Sequence, residues 1–154
     1  MARIEVHVER ADDSFHFVGR NAQGIEVHMD DASERPDGVG LGMSPMQLLL
    51  IALGGCSGID LASILGKGRQ KMDSLTISVA GEKPDGTAPS LYHDIHVTFT
   101  VVGDAKPERV ARAVDLSLGK YCSVAKTLES TARITGSYVV NGQRYEWEPS
   151  GTTS

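Results

Sequence analysis

Hydrophobic and polar positions alternate along this chain with two periods, two and about 3.6 residues, and the switches between them outline its elements. Ile4, Val6 and Val8 alternate with Glu5, His7 and Glu9, the pattern of a strand with one buried face. After the polar punctuation of Asp12, Asp13 and Ser14, residues 15–19 read as a second strand. Ile25, Val27 and Met29 then alternate with Glu26, His28 and Asp30 as a third. The three predict an antiparallel meander. A loop over residues 30–43, interrupted by glycine and proline, leads from it into a stretch of a different kind.

That stretch is residues 44–65, SPMQLLLIALGGCSGIDLASIL. Ser44, Pro45 and Gln47 specify a helix start: the serine hydroxyl accepts from the N3 amide, proline at N1 has no amide to leave unpaired, and glutamine at N3 reaches back to the cap. From Leu48 to Leu53 every residue is apolar, which leaves no face for water and predicts a helix covered on all sides. Gly54 and Gly55 are poor helix formers, so their place beside Cys56 predicts a backbone or a substrate in close approach. The helix is expected to end at residues 66–68, with Lys67 and Arg69 complementing its dipole.

Period two returns at Leu75, Ile77 and Val79, and again at Ile95, Val97, Phe99 and Val101, with turn residues Pro84, Gly86 and Pro89 between them. These predict a hairpin. Pro107 opens an amphipathic helix whose apolar side is Val110, Ala113, Val114, Ser117, Leu118 and Tyr121. A short helical segment follows over residues 122–130, then a strand over residues 133–140. Asn141-Gly142 is the strongest hairpin signal in the chain, because a type I′ turn needs positive φ at both centres. Tyr145 and Trp147 belong to the returning strand. Strands and helices in this order give an α+β fold, expected as one domain over residues 1–148 with a disordered polar tail at 149–154.

Composition narrows the function classes. With 15 Lys plus Arg against 20 Asp plus Glu in 154 residues, the formal net charge is -5, and no basic run offers a surface for nucleic acid. The N-terminal segment has Glu5 and Glu9 where a secretion signal needs an apolar core. The apolar run of the long helix is short and contains Asp60, so no membrane association is expected and a cytoplasmic location is. Cys56 and Cys122 are the only cysteines, 66 positions apart, which excludes a disulfide framework and makes no zinc-type Cys-x-x-Cys spacing.

Two thiols in a reducing compartment are either packing residues or redox chemistry. Cys56 lies 12 positions past the cap, about 18 Å along the helix axis, beyond the first turn over which the helix dipole acts. A reactive Cys56 therefore needs a cation brought from elsewhere, or its burial would leave it inert. His93 and His96 lie on opposite faces of a strand and do not form a chelating pair.

The segments SPMQLLLIALGGCSGIDL and KYCSVAKTLE, with their order and spacing, resemble the family of the osmotically inducible protein C and the organic hydroperoxide resistance proteins. The likeness extends from Ile4 to Val140. It implies an OsmC-like fold: antiparallel sheets wrapped around a buried central cysteine-bearing helix, in an intertwined homodimer. It also implies a thiol-dependent peroxidase that reduces organic hydroperoxides, with Cys56 peroxidatic, Cys122 resolving, a lipoyl-type dithiol as reductant, and no metal or flavin. Met46 and Gln47 stand where members of that family carry a Pro-Glu-Glu helix start, in which a glutamate helps hold an arginine against the thiolate. Ser123 stands where they carry proline. Arg20 and Arg35 are the candidates for that arginine. Two other readings stay open: a non-catalytic homodimer that binds a small hydrophobic or thiol-bearing ligand at its interface, and a pair of cysteines that serve only the core.

Overall fold

The computed structural model describes residues 1–151, and the chain divides into two compact units, Met1–Leu49 and Leu50–Ser154. The first unit is the expected meander, β1 (His7–Arg10), β2 (Phe17–Arg20) and β3 (Glu26–Met29), paired antiparallel in the order β1-β2-β3. The first two strands begin three and two residues later than the alternation suggested; β2 starts late because Asp12 holds the amides of Ser14 and His16 in a turn. The register places Val8, Gly19 and Val27 side by side on one face with Phe17 and Met29. That face was expected to be buried. In the single chain Val8 is 52% and Val27 47% exposed.

The loop after β3 turns back along it. Asp30 donates its amide to the Met43 carbonyl at 3.2 Å, and a β-carbon on Gly42 would stand 2.4 Å from the His28 carbonyl, so only glycine fits there. Asp30 is buried and its carboxylate accepts from the Leu41 amide at 2.9 Å and from Arg35 at 2.9 Å. A short 3₁₀ turn, Ala32–Glu34, is capped by Asp31.

Helix α1 (Pro45–Lys67) starts as the sequence specifies. Ser44 Oγ accepts from the Gln47 amide at 3.2 Å and Gln47 Oε1 accepts from the Ser44 amide at 2.9 Å, a reciprocal capping box. The helix is not covered on every side within one chain: Leu53, Ser57, Leu61 and Leu65 are buried, while Leu49, Ile51 and Ile59 are exposed, Ile59 by 73%. By length and composition alone α1 suffices to cross a membrane, contrary to the expectation from its short apolar run. Its buried residues form a stripe along one side only.

In the second unit β4 (Ser74–Glu82), β5 (Asp94–Val102), β6 (Arg133–Val140) and β7 (Gln143–Glu146) form a sheet in that order. The β4–β5 and β6–β7 pairs are antiparallel, but β5 and β6 are parallel, a correction to the expected antiparallel sheets. The cause is the helical segment between them. A parallel neighbour needs a crossover of a dozen residues or more, which α2 (Pro107–Leu116) and α3 (Ser123–Leu128) provide. Asn141 and Gly142 have φ of 47° and 86°, as the β6–β7 turn requires.

The helices of this unit lie on one face of its sheet. Ile77, Val97, Phe99, Tyr138 and Val140 share that face by register, and Val97 and Phe99 are fully buried with Val110, Ala113 and Val114 of α2. A β-carbon on Gly54 would meet Val79 at 3.2 Å and one on Gly58 would meet Ile77 at 2.6 Å, so these glycines let α1 sit close on β4. Gly55 faces open space instead. On the opposite face His96 is hydrogen bonded to Thr135 at 2.7 Å and Ser137 at 2.9 Å, a satisfied structural histidine. Trp147, just past β7, donates to Asp115 at 2.9 Å, and the Ser150 amide donates to the same carboxylate at 3.1 Å. Of the tail expected to be disordered, residues 152–154 lie outside the described residues.

Candidate functional site

Cys56 and Asp60 are four residues apart on α1, hence on one side of the helix and one turn from each other. Between them Ser57 turns inward and returns its hydroxyl to the Leu53 carbonyl at 2.8 Å, which satisfies a polar group inside the apolar stripe. Both Cys56 and Asp60 are half-buried.

The facing wall comes from the end of α2. The amphipathic pattern predicts that helix to run on to Tyr121, but the α-helix stops at Leu116 and the next turn, Ser117–Tyr121, widens to π geometry. The Cys122 amide donates to the Ser117 carbonyl at 2.8 Å, five residues back, and the chain then leaves the helix with Cys122 extended at φ −69° and ψ 102°. Wide turns of this kind recur at functional sites because the extra residue re-aims the side chains around it. Here it directs Ser117 Oγ to Asp60 Oδ2 at 2.9 Å and makes Cys122 the cap of α3, its sulfur accepting from the Ala125 amide at 3.4 Å.

The result is a cluster of Cys56 Sγ, Cys122 Sγ and an Asp60 carboxylate oxygen, all within 4.8 Å of one another. Both cysteines are free thiols. Burial pushes the Cys122 thiol up to about 12; the Ala125 amide opposes this, while Cys56 and Asp60 add to it. At neutral pH Cys122 is therefore a protonated thiol. Cys56 is the more accessible of the pair, since Cys122 is fully buried. An oxidant entering from solvent meets Cys56 first. The sulfurs are close enough that the reading in which the two cysteines serve separate parts of a core is not favoured.

The other sequence candidates belong to the first unit and are engaged there. Gln47 is taken up by the capping box with Ser44. Arg20 is bound by Glu26 at 2.7 Å and by Glu9, and these carboxylates hold its guanidinium above its ordinary value. Arg35 is clamped between Asp12 at 2.7 Å and Asp30 at 2.9 Å, with the same effect. The charged group that does stand at the thiols is Asp60, which the sequence reading took only as an interruption of an apolar run. Its spacing of four from Cys56 was the available signal. Ser117 was read as part of the apolar side of α2, and nothing local to it indicates that it orients a carboxylate on another helix.

Two hollows accompany these elements. In the second unit Leu50, Ile51, Gly54, Gly55, Ile77 and Val79 line a groove of about 330 Å³ alongside the turn of α1 that precedes Cys56. In the first unit the apolar face of the meander, with Val8, Phe15, Phe17 and Met29, lines one of about 460 Å³ that extends to Ser44 and Pro45.

Known proteins share this fold. The family described as OsmC-like protein matches residues 35–136. Protein YhfA of Escherichia coli K12 is 45% identical over 127 residues, covering 80% of this chain and 89% of YhfA. A hypothetical protein of Aquifex aeolicus VF5 superposes with a TM-score of 0.79 at 29% identity, over 96% of this chain and 99% of its own. The organic hydroperoxide resistance protein OhrB of Bacillus subtilis shares the fold, with a TM-score of 0.63 at 14% identity over 89% of this chain and 98% of its own. On the family match and the similarity to YhfA, this chain belongs to the OsmC family.

Proposed function

We propose that the protein is a homodimeric thiol-dependent peroxidase that reduces organic hydroperoxides through Cys56 and Cys122. The observation that carries this reading is the approach of the two sulfurs to within 4.8 Å across two helices, one thiol accessible and the other buried. Membership of a family that includes proteins named for organic hydroperoxide resistance supports the substrate class. The Cys56 thiolate attacks the O–O bond, the alkoxide leaves as an alcohol, and Cys56 becomes a sulfenic acid. The Cys122 sulfur then displaces water from it to form the disulfide, and a lipoyl-type dithiol returns both thiols by exchange. No step of this scheme calls for a metal or a flavin. In a cytoplasmic setting the pair rests reduced.

The exposed apolar residues of α1 and of the meander support the dimer, since contiguous apolar surface of this kind marks an interaction site. A second copy would cover Leu49, Ile51 and Ile59, and the fold would complete the sheet-wrapped central helix only as a pair. The family match crosses the boundary at Leu49, which supports reading residues 1–148 as one OsmC-like domain. Arg20 and Arg35, the candidates for the cation that a reactive Cys56 needs, are each held by carboxylates of their own unit, and Gln47 by the cap of α1.

One observation favours a second reading. Asp60 adds to the upward push that burial puts on the Cys122 thiol, and a second thiol held protonated suits a homodimer that binds a small hydrophobic or thiol-bearing ligand at its interface without turnover. Turnover separates the two. Purified protein given an alkyl hydroperoxide and dihydrolipoamide is expected to release the alcohol catalytically and to lose this activity in Cys56→Ser. A wild type with no alcohol release and with a co-purifying ligand would replace the peroxidase with the binding module.

A further inference from the structure

Asp60 is a liability for thiolate chemistry, yet the fold fixes it in place. Ser117 donates to one carboxylate oxygen at 2.9 Å, and no basic side chain pairs with Asp60 among the described residues. Two thiols and an oriented carboxylate, converging within 4.8 Å from two helices, make an unfavourable set of anions and a favourable set of ligands. A bound dication outweighs the repulsion among them: it neutralises most of the charge on two thiolates and a carboxylate, and it deprotonates a coordinating thiol outright.

We propose that Cys56, Cys122 and Asp60 form a zinc site with an open fourth position. Two sulfurs with one oxygen select a borderline-soft d¹⁰ ion over magnesium or calcium, which take oxygen ligands. With Zn–S near 2.3 Å and tetrahedral angles, the two sulfurs stand about 3.8 Å apart and the carboxylate oxygen slightly nearer. From separations within 4.8 Å, the two sulfurs reach that geometry by a contraction of at most about 1 Å. The hydrogen bond from Ser117 is the outer contact that ligating carboxylates need, because it fixes which oxygen faces the metal. The fourth position lies on the accessible side of Cys56, where water or an external thiolate completes the tetrahedron. Binding converts two thiols to thiolates and releases two protons per ion.

This site uses the residues of the proposed peroxidase but does not depend on turnover. A zinc-held pair keeps its sulfurs about 3.8 Å apart, whereas a disulfide brings them to about 2.05 Å, so the metal-bound and the oxidised forms exclude each other. Zinc would protect the pair from hydroperoxide, and oxidation would release zinc.

The test is an anaerobic titration of reduced, full-length protein with Zn²⁺ against a chromogenic zinc indicator, repeated with Co²⁺ for its thiolate charge-transfer band. One equivalent per chain and a near-ultraviolet cobalt–thiolate band are expected. Cys122→Ala should abolish both, Asp60→Asn should weaken zinc binding by about 10-fold or more, and Ser117→Ala by up to about 10-fold. Alkylating Cys56 in the folded wild type should also abolish binding, a control that needs no variant to fold. Absence of stoichiometric binding, or binding unchanged by Asp60→Asn and by Cys56 alkylation, would overturn the site. Thiol loss to hydroperoxide is scored on the same metal-free batches. Zinc binding without thiol loss contradicts the peroxidase alone, and thiol loss without zinc binding contradicts this site alone.

Discussion

The two sheets carry the same alternation of apolar and polar residues and come to different ends. In the four-stranded sheet, β5 buries Ile95, Val97, Phe99 and Val101 completely, because α1 and α2 lie on that face. In the three-stranded sheet, Val8, Phe17 and Val27 share a face that no helix of their own unit covers, and Val8 is half exposed. Helix α1 repeats the contrast along its length: Leu61 is fully buried and Ile59, two residues away, is 73% exposed. A periodic apolar stripe states that a face requires cover. It does not state that the same chain supplies it.

The strongest way to break this comparison is to hollow out the covered face. Phe99→Ala removes a fully buried ring opposite Ile77 and Tyr138 and is expected to cost about 3–5 kcal/mol, read as a lowered denaturation midpoint at unchanged slope. Ile59→Asp on the uncovered face should leave the secondary structure intact and shift the proposed dimer to monomer in sedimentation, with the four-stranded unit still folded. If it instead unfolds the chain at every concentration, Ile59 is covered by the chain's own residues and the contrast fails.

A third test is confined to the first unit. Arg35 holds the Asp12 carboxyl below its ordinary value, and the Leu41 amide together with Arg35 does the same for Asp30. Groups whose folded pKa is depressed give stability that is fully present above the ordinary aspartate value of 3.8 and is lost as pH falls through the depressed values. Acid unfolding below that point should therefore release the loop after β3 first, and Arg35→Met should flatten this pH dependence. The smallest effect expected is that of Ser44→Ala, about 1 kcal/mol from loss of the α1 cap.

The sequence made the helix start legible because a capping box is a local device: Ser44, Pro45 and Gln47 identify it without reference to anything distant. The hairpin at Asn141-Gly142 was legible for the same reason. The parallel pairing of β5 with β6 was not, since strand direction follows from where the crossover helices pack and not from alternation. The end of α2 was also hidden. Its apolar side continues to Tyr121, yet the π turn at Ser117–Tyr121 interrupts the α-helix without any glycine or proline at its start. That turn sets Cys122 and Ser117 against Cys56 and Asp60, so the site depended on the feature the pattern concealed. Resemblance supplied the cysteine pair, and only the fold revealed its carboxylate.

In the proposed peroxidase Cys56 and Cys122 act as one redox pair. The most direct measurement of this is peptide mapping of the reduced, metal-free protein after one equivalent of an alkyl hydroperoxide, with free thiols counted in parallel and Cys56→Ser as control. The expected result is the loss of two thiols per chain, a disulfide-linked pair of peptides carrying Cys56 and Cys122, and no disulfide within the chain of the variant. Wild-type protein that retains both thiols after this treatment would contradict it.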